Sequence, residues 1–346
     1  MTTTKRRKGM ARAGIRRRAA ALAGIAAAGA AFPAEALAHA SDRGHILLLP
    51  TGHYLAGGAV AVALTFLVLA FVPQRALVRP FGWRLALGAL PEWPRLVLSA
   101  LSFAFLVFLV AAGLLGSPDP LTNPLPLMVW AMFWVGLTLA QGVFGDIWRL
   151  IDPWHAPWRA LAALTGRDIR RADLPGRLGY WPALAQFLAF AWFELVHPAP
   201  DDPALLARVV GVYFLVNLAA AFLFGHEAWS RQGECLSAFL RMMARLGIVE
   251  GKRQDGGRIG LSLCLPGAKL VNAAPLPASG VLFLLLALSS VSFDGLMRTF
   301  FWLGLIGVNP LEFPGRSAVV ASSTLGLAGA FVLLAGVFLA AVALGE

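Results

Sequence analysis

The sequence predicts an all-α polytopic membrane bundle of about seven transmembrane helices behind a cleaved N-terminal signal segment. Three observations predict it. The 346 residues are 58% hydrophobic and only 14% charged, where a soluble domain carries about 25% charged residues. Mean hydropathy is +0.72, and several apolar runs approach the length of a membrane-crossing helix. Lys and Arg collect in alternate loops, which is the pattern of a chain threaded through a bilayer. The net charge of +11 would point to nucleic acid in a soluble protein. Here it belongs to the topology, so the expected partner is the lipid bilayer and no nucleic acid.

Residues 1–40 read as the signal segment. Lys5, Arg6, Arg7 and Lys8, then Arg16, Arg17 and Arg18, precede an alanine-rich core from Ala19 to Phe32 and the small-residue stretch PAEALAHA. Cleavage after Ala38 leaves His39 as the new N-terminus, and cleavage after Ala40 removes it. The remainder, 41–346, is one transmembrane domain with spans near 54–72, 96–115, 127–145, 181–197, 209–225, 280–293 and 317–343. The fourth and sixth are short and fit a tilted helix or a locally thinned bilayer.

Arg75, Arg79, Arg84 and Arg95 follow the first span, six arginines from Arg149 to Arg177 follow the third, and seven basic residues from Arg231 to Lys269 follow the fifth. The alternate loops hold only Arg43, Arg208, Arg298 and Arg316. The mature N-terminus is therefore expected on the periplasmic face of a bacterial inner membrane and the C-terminus in the cytoplasm. In the third inner loop, LSAFLRMMARLGIV places Leu236, Phe239, Leu240, Met243 and Leu246 on one stripe, as an interfacial helix would. IVEGKRQDGGRIGLSL follows as a hairpin turning at Asp255-Gly256-Gly257. Cys235 and Cys264 lack metal-binding spacing and read as reduced thiols.

On the outer side, His39, His45 and His53 precede the first span, and the fourth ends in AFAWFELVHPAPDD. Glu194 and His197 are three apart, a spacing that shares one helix face and supplies ligands in carboxylate-bridged metal proteins. Asp294 closes the sixth span in SSVSFDG. An ionisable group deep in a span costs roughly 2.5–3.5 kcal/mol on insertion scales, less near a span end, where these groups lie. Imidazole and carboxylate together suit a divalent ion, zinc or copper. The bland alternative is an interfacial Glu and His below a helix-ending Pro198, solvated by headgroups.

On the inner side, Asp146 and Arg149 are expected to pair within one turn, and Trp148, Trp154 and Trp158 to form an interfacial belt. His226 and Glu227 end the fifth span and carry the same ambiguity as the outer pair. Gln141, Gln186 and Asn217 lie inside spans and fit interhelical hydrogen bonds. There is no P-loop, no G-x-S-x-G and no H-E-x-x-H.

The segments MFWVGLTLAQGVFGDIWRLIDPW, GYWPALAQFLAFAWFELV, GHEAWSRQGECLSAFLRMMARLGIV and SSVSFDGL, in this order, resemble a bacterial family of polytopic membrane proteins labelled fenitrothion hydrolase. The resemblance covers roughly 36–316. It implies hydrolysis of an apolar aryl organophosphate triester, with His39, Asp146, Glu194 and Asp294 at family positions. Under that label a metal-bound water would attack phosphorus, with His45, His53, His197, Glu194 and, where retained, His39 as ligands. Glu194 and Asp294 would be catalytic. Longer members continue with further helices, so a second membrane subunit is expected to supply them here. A non-enzymatic metal-binding or assembly protein is the alternative, and a permease, which needs discontinuous helices near the midplane, the third.

Overall fold

A computed structural model describes residues 51–166, 175–254, 258–271 and 273–345. The signal segment, His39, His45 and the turn at Asp255-Gly256-Gly257 lie outside these residues. Helix makes up most of the described chain, and six helical stretches are long and apolar enough to cross a membrane. They are α1 (Thr51–Phe71), α2 (Trp93–Leu115), α3 (Pro124–Phe144), α6 (Pro203–Phe224), α9 (Ala278–Met297) and α10 (Val320–Gly345). Shorter helices stand between them: α4 (His155–Thr165), α5 (Trp181–Leu195), α7 (His226–Gln232) and α8 (Cys235–Ala244).

Local chemistry fixes the ends. Asn123 and Asp202 cap α3 and α6 by accepting from the Leu125 and Leu205 amides, and prolines follow each cap, where a missing N–H costs nothing. At the far end of α6, Gly225 adopts a φ of 85°, which lets the chain reverse. Gly113 lets α2 approach α6, since a β-carbon there would come 2.8 Å from that of Ala207. The centre of α3, Leu127–Leu137, is wound as a π-helix, a winding often found at functional sites.

Helix α5 has 15 residues, about 22 Å at 1.5 Å per residue, and falls short of the length of the other six. Its two ends nevertheless lie beside the two ends of α9. The Tyr180 amide donates to Ser279 Oγ at the start, and Glu194 lies within electrostatic reach of Asp294 at the finish. Phe187 and Phe283 pack edge to face between them. The largest core cluster forms around this pair, with α8 and α10 against it.

The chain after α6 departs from an interfacial helix. Helix α7 folds back along α6, with the Trp229 indole donating to Asn217 Oδ1 and Glu234 meeting the Tyr213 hydroxyl. Tyr213 is eleven residues before the end of α6, so the tip climbs about 16 Å, roughly half a bilayer core. Helix α8 then returns until the Ile248 amide reaches the Val143 carbonyl at the end of α3. Cys235, Leu236, Ser237, Ala238, Leu240, Met242 and Ala244 are all buried. The expected apolar stripe is thus one part of a helix enclosed nearly all round.

The expected hairpin forms as β2 (Val249–Gln254) and β3 (Arg258–Cys264), and a strand the sequence reading omitted, β1 (Arg84–Pro91), adds antiparallel to β3. An Arg84–Glu250 ion pair of 2.7 Å ties the sheet's outer strands. Helix α1 is exposed along Gly52–Phe71.

The α7–α8 hairpin makes a topological prediction. In a chain lacking Cys235 and Cys264, single cysteines at Leu246 and Trp93 should label with an impermeant maleimide from the same side of sealed vesicles. A cysteine at Leu121 should label from the other. Leu246 labelling together with Leu121 would mean that the hairpin crosses.

Candidate functional site

At the Glu194 end, the sequence-selected groups come together only in part. The Glu194 side chain is half-buried, with the Trp134 indole hydrogen-bonded to it. Arg316 donates to the Glu194 carbonyl at 2.9 Å. Asp294 forms an ion pair with Arg298 at 3.3 Å, without hydrogen-bond alignment at Asp294 Oδ1. His197 does not share the Glu194 helix face: α5 ends at Leu195, and the Val196 and His197 amides converge on the Trp192 carbonyl. Pro198 disfavours helical backbone at the residue before it. The His197 ring packs on Phe193 at 5.1 Å, and its Nδ1 accepts from the Ala199 amide.

His53 stands near the start of the exposed helix α1. Among the described residues, no three His, Cys, Asp or Glu side chains are placed to hold a metal ion. The two adjacent carboxylates are faced by Arg298 and Arg316.

The denser polar site lies at the other end, around Arg95. His226, 1% exposed, places Nε2 2.7 Å from Asp152 Oδ2. Arg95, 8% exposed, holds Glu227 at 2.7 Å and donates from Nε to the Arg149 carbonyl. Ser99 Oγ bridges two backbone groups, donating to the Asp152 carbonyl and accepting from the Ala156 amide. The His155 ring stands 5.2 Å from His226. Burial, then the Arg95 charge, pushes the His155 imidazole down to about 4, with Asp152 and Glu227 opposing. Burial would raise Glu227, but the hydrogen bond and charge of Arg95 outweigh it and bring its carboxyl down to about 2. Arg95, Arg149, Asp152, His226 and Glu227 line a polar cavity of about 250 Å³.

A second cavity, of about 520 Å³, runs between α2, α3, α5 and α6 and is walled by side chains such as Phe105, Leu109, Met128, Trp130, Phe190 and Phe214. The π-wound part of α3 supplies much of one wall. Trp148 borders both cavities. Its indole donates to Ser237 Oγ at 2.8 Å and stands edge-on to Phe133 and Trp154.

The Arg95 end departs from several sequence-based expectations. Trp148 and Trp154 are 8% and 5% exposed and belong to the core, not to an interfacial belt. Asp146 accepts from the Arg149 amide, while the Arg149 guanidinium forms no pair with it. Gln141, Gln186 and Asn217 do hydrogen-bond, but to Ile147 and Trp148, to Gly233 and to Trp229, in the segments that fold between the spans. No family model, no curated protein and no solved structure matches this chain.

His155 gives the site a pH signature. Its folded value, about 4 against an ordinary 6.5, means that the unfolded chain takes the proton first as pH falls. Stability should therefore drop from about pH 6.5 down to about pH 4. In thermal unfolding from pH 7 to 4.5, His155→Gln should lose less stability than wild type. Parallel curves would show that His155 does not titrate between the two states.

Proposed function

We propose that the chain is a seven-span protein of the bacterial plasma membrane that draws an apolar aryl organophosphate triester from the bilayer and hydrolyses it. The 520 Å³ cavity carries this reading. Its volume lies in the range of small-molecule sites, and its aromatic walls suit an aryl ester that partitions into lipid. The family resemblance supplies the reaction class. Helix α5 is the seventh span of this proposal, which places the mature N-terminus in the periplasm and the C-terminus in the cytoplasm, in keeping with the loop arginines.

Within the proposal, Glu194 is the general base, next in sequence to Phe193 of the cavity wall. It takes a proton from the attacking water, the new P–O bond forms as the aryl oxide leaves, and the phenol regains a proton from solvent. Arg298 and Arg316 stabilise charge gathering on the phosphoryl oxygen, and Asp294 positions Arg298. A divalent ion enters the proposal only with His39 and His45 as further ligands, and a second membrane subunit only as the source of further helices. The α7–α8 hairpin favours a second reading, a permease: it brings Gln186, Tyr213 and Glu234 together at half-depth, as discontinuous transporter helices do.

Membranes containing the full chain should release nitrophenol from a nitrophenyl phosphotriester. Glu194→Gln should lower kcat by about 10²–10⁴-fold, the usual contribution of a general base. Val210→Trp, which fills the cavity, should raise KM with a smaller change in kcat. Undiminished turnover by Glu194→Gln would remove the site. Quenching of tryptophan fluorescence by the nitroaromatic, without turnover, would leave binding alone, and saturable flux into proteoliposomes would favour the permease.

A further inference from the structure

The polar cavity at the Arg95 end carries more positive charge than the fold uses. Five arginines line it against three acidic residues. Arg95 is matched by Glu227, Asp152 by His226, and Arg253 by Glu92. Arg149, Arg231 and Arg241 remain, and none forms an ion pair among the described residues. Asp146 and Glu227 lie within electrostatic reach of Arg241, but Asp146 spends one oxygen on the Arg149 amide and Glu227 is paired with Arg95.

Two buried donors or acceptors at this cavity lack partners. Arg241 Nε is enclosed without one, and the guanidinium makes a single long contact, 3.4 Å to the Ser230 carbonyl. His226, 1% exposed, leaves Nδ1 without a partner while Nε2 is held by Asp152. A half-buried guanidinium whose nearby carboxylates are shared with other arginines is costly unless a further counter-charge is supplied. Guanidinium geometry matches oxyanions that accept two hydrogen bonds at once.

We propose that this cavity is a binding site for a phosphate-type oxyanion, held by Arg149 and Arg241. The oxyanion belongs to a free small phosphate or to a phospholipid headgroup. The lipid source fits the position of Trp148, which divides this cavity from the apolar one. The site stands on the charge of the Arg95 end and is independent of triester hydrolysis.

The test uses the full chain in a phosphate-free maltoside detergent, with inorganic phosphate replacing chloride at constant ionic strength. A free-phosphate site gives a saturable rise in melting temperature. A headgroup site gives that rise when phosphatidylglycerol is added to the micelles without phosphate, and inorganic phosphate then changes little. In either arm Arg149→Gln and Arg241→Gln should weaken the response at least tenfold, while Arg75→Gln, at an exposed position, leaves it intact. Should Arg241→Gln fail to fold, Arg149→Gln and the wild-type titrations carry the test. No stabilisation in either arm, or stabilisation that persists in Arg149→Gln, overturns the proposal.

Discussion

In a bundle this apolar, every backbone N–H and C=O that leaves a helix must find a partner inside the protein, because hydrocarbon offers none. The structure turns on how the breaks are closed. At the tip of the α7–α8 hairpin, Gln186 donates to the Gly233 carbonyl, and the Glu234 carboxylate accepts from the Leu236 and Ser237 amides. At the end of α3, Gln141 accepts from Ile147 and Trp148. Between Asp152 and Ala156, Ser99 does both jobs with one hydroxyl. Gln186 and Ser99 stand on neighbouring helices, while Gln141 and Glu234 close the ends of their own, so the irregular segments are held in part by the spans.

That constraint explains where charge settles. Glu234, 1% exposed, caps α8 and meets Tyr213, so its oxygens are committed to backbone and hydroxyl donors. Asp152 and Arg95 are each consumed in part by backbone groups and in part by His226 or Glu227. The carboxylates at the Glu194 end face guanidiniums and an indole instead. The two ends of the bundle thus differ: one has a hydrogen-bonded network with a surplus of cations, the other a single Asp294–Arg298 ion pair beside Glu194.

The spans were legible because their signal is additive: twenty apolar residues in a row read the same in any context. The hairpin was not. A stripe at helical spacing with Arg241 and Arg245 off it looks alike whether the helix lies on a surface or enters a bundle. Its place is decided by Asn217, Gln186 and Tyr213 on other helices. The arginines misled in a different way. Arg95, Arg149 and Arg241 were accounted for as topology signals, and that sufficient reason concealed their second role around His226 and Asp152. The Glu194–His197 spacing carried a helical assumption that Pro198 removes within one turn.

Trp148 joins these strands. An indole has an apolar body and one polar N–H, and here the N–H is spent on Ser237, leaving ring surface as the wall between two cavities of opposite character. Ser237 is positioned by the Glu234 cap, and Glu234 by Tyr213 on α6. The wall therefore stands where the hairpin tip puts it. Moving the tip along α6 would shift Ser237, loosen the indole from Phe133 and Trp154, and change how far the polar cavity is separated from the apolar one. Half-depth hydrogen bonds thereby govern the boundary between the lipid-like interior of this protein and its charged end.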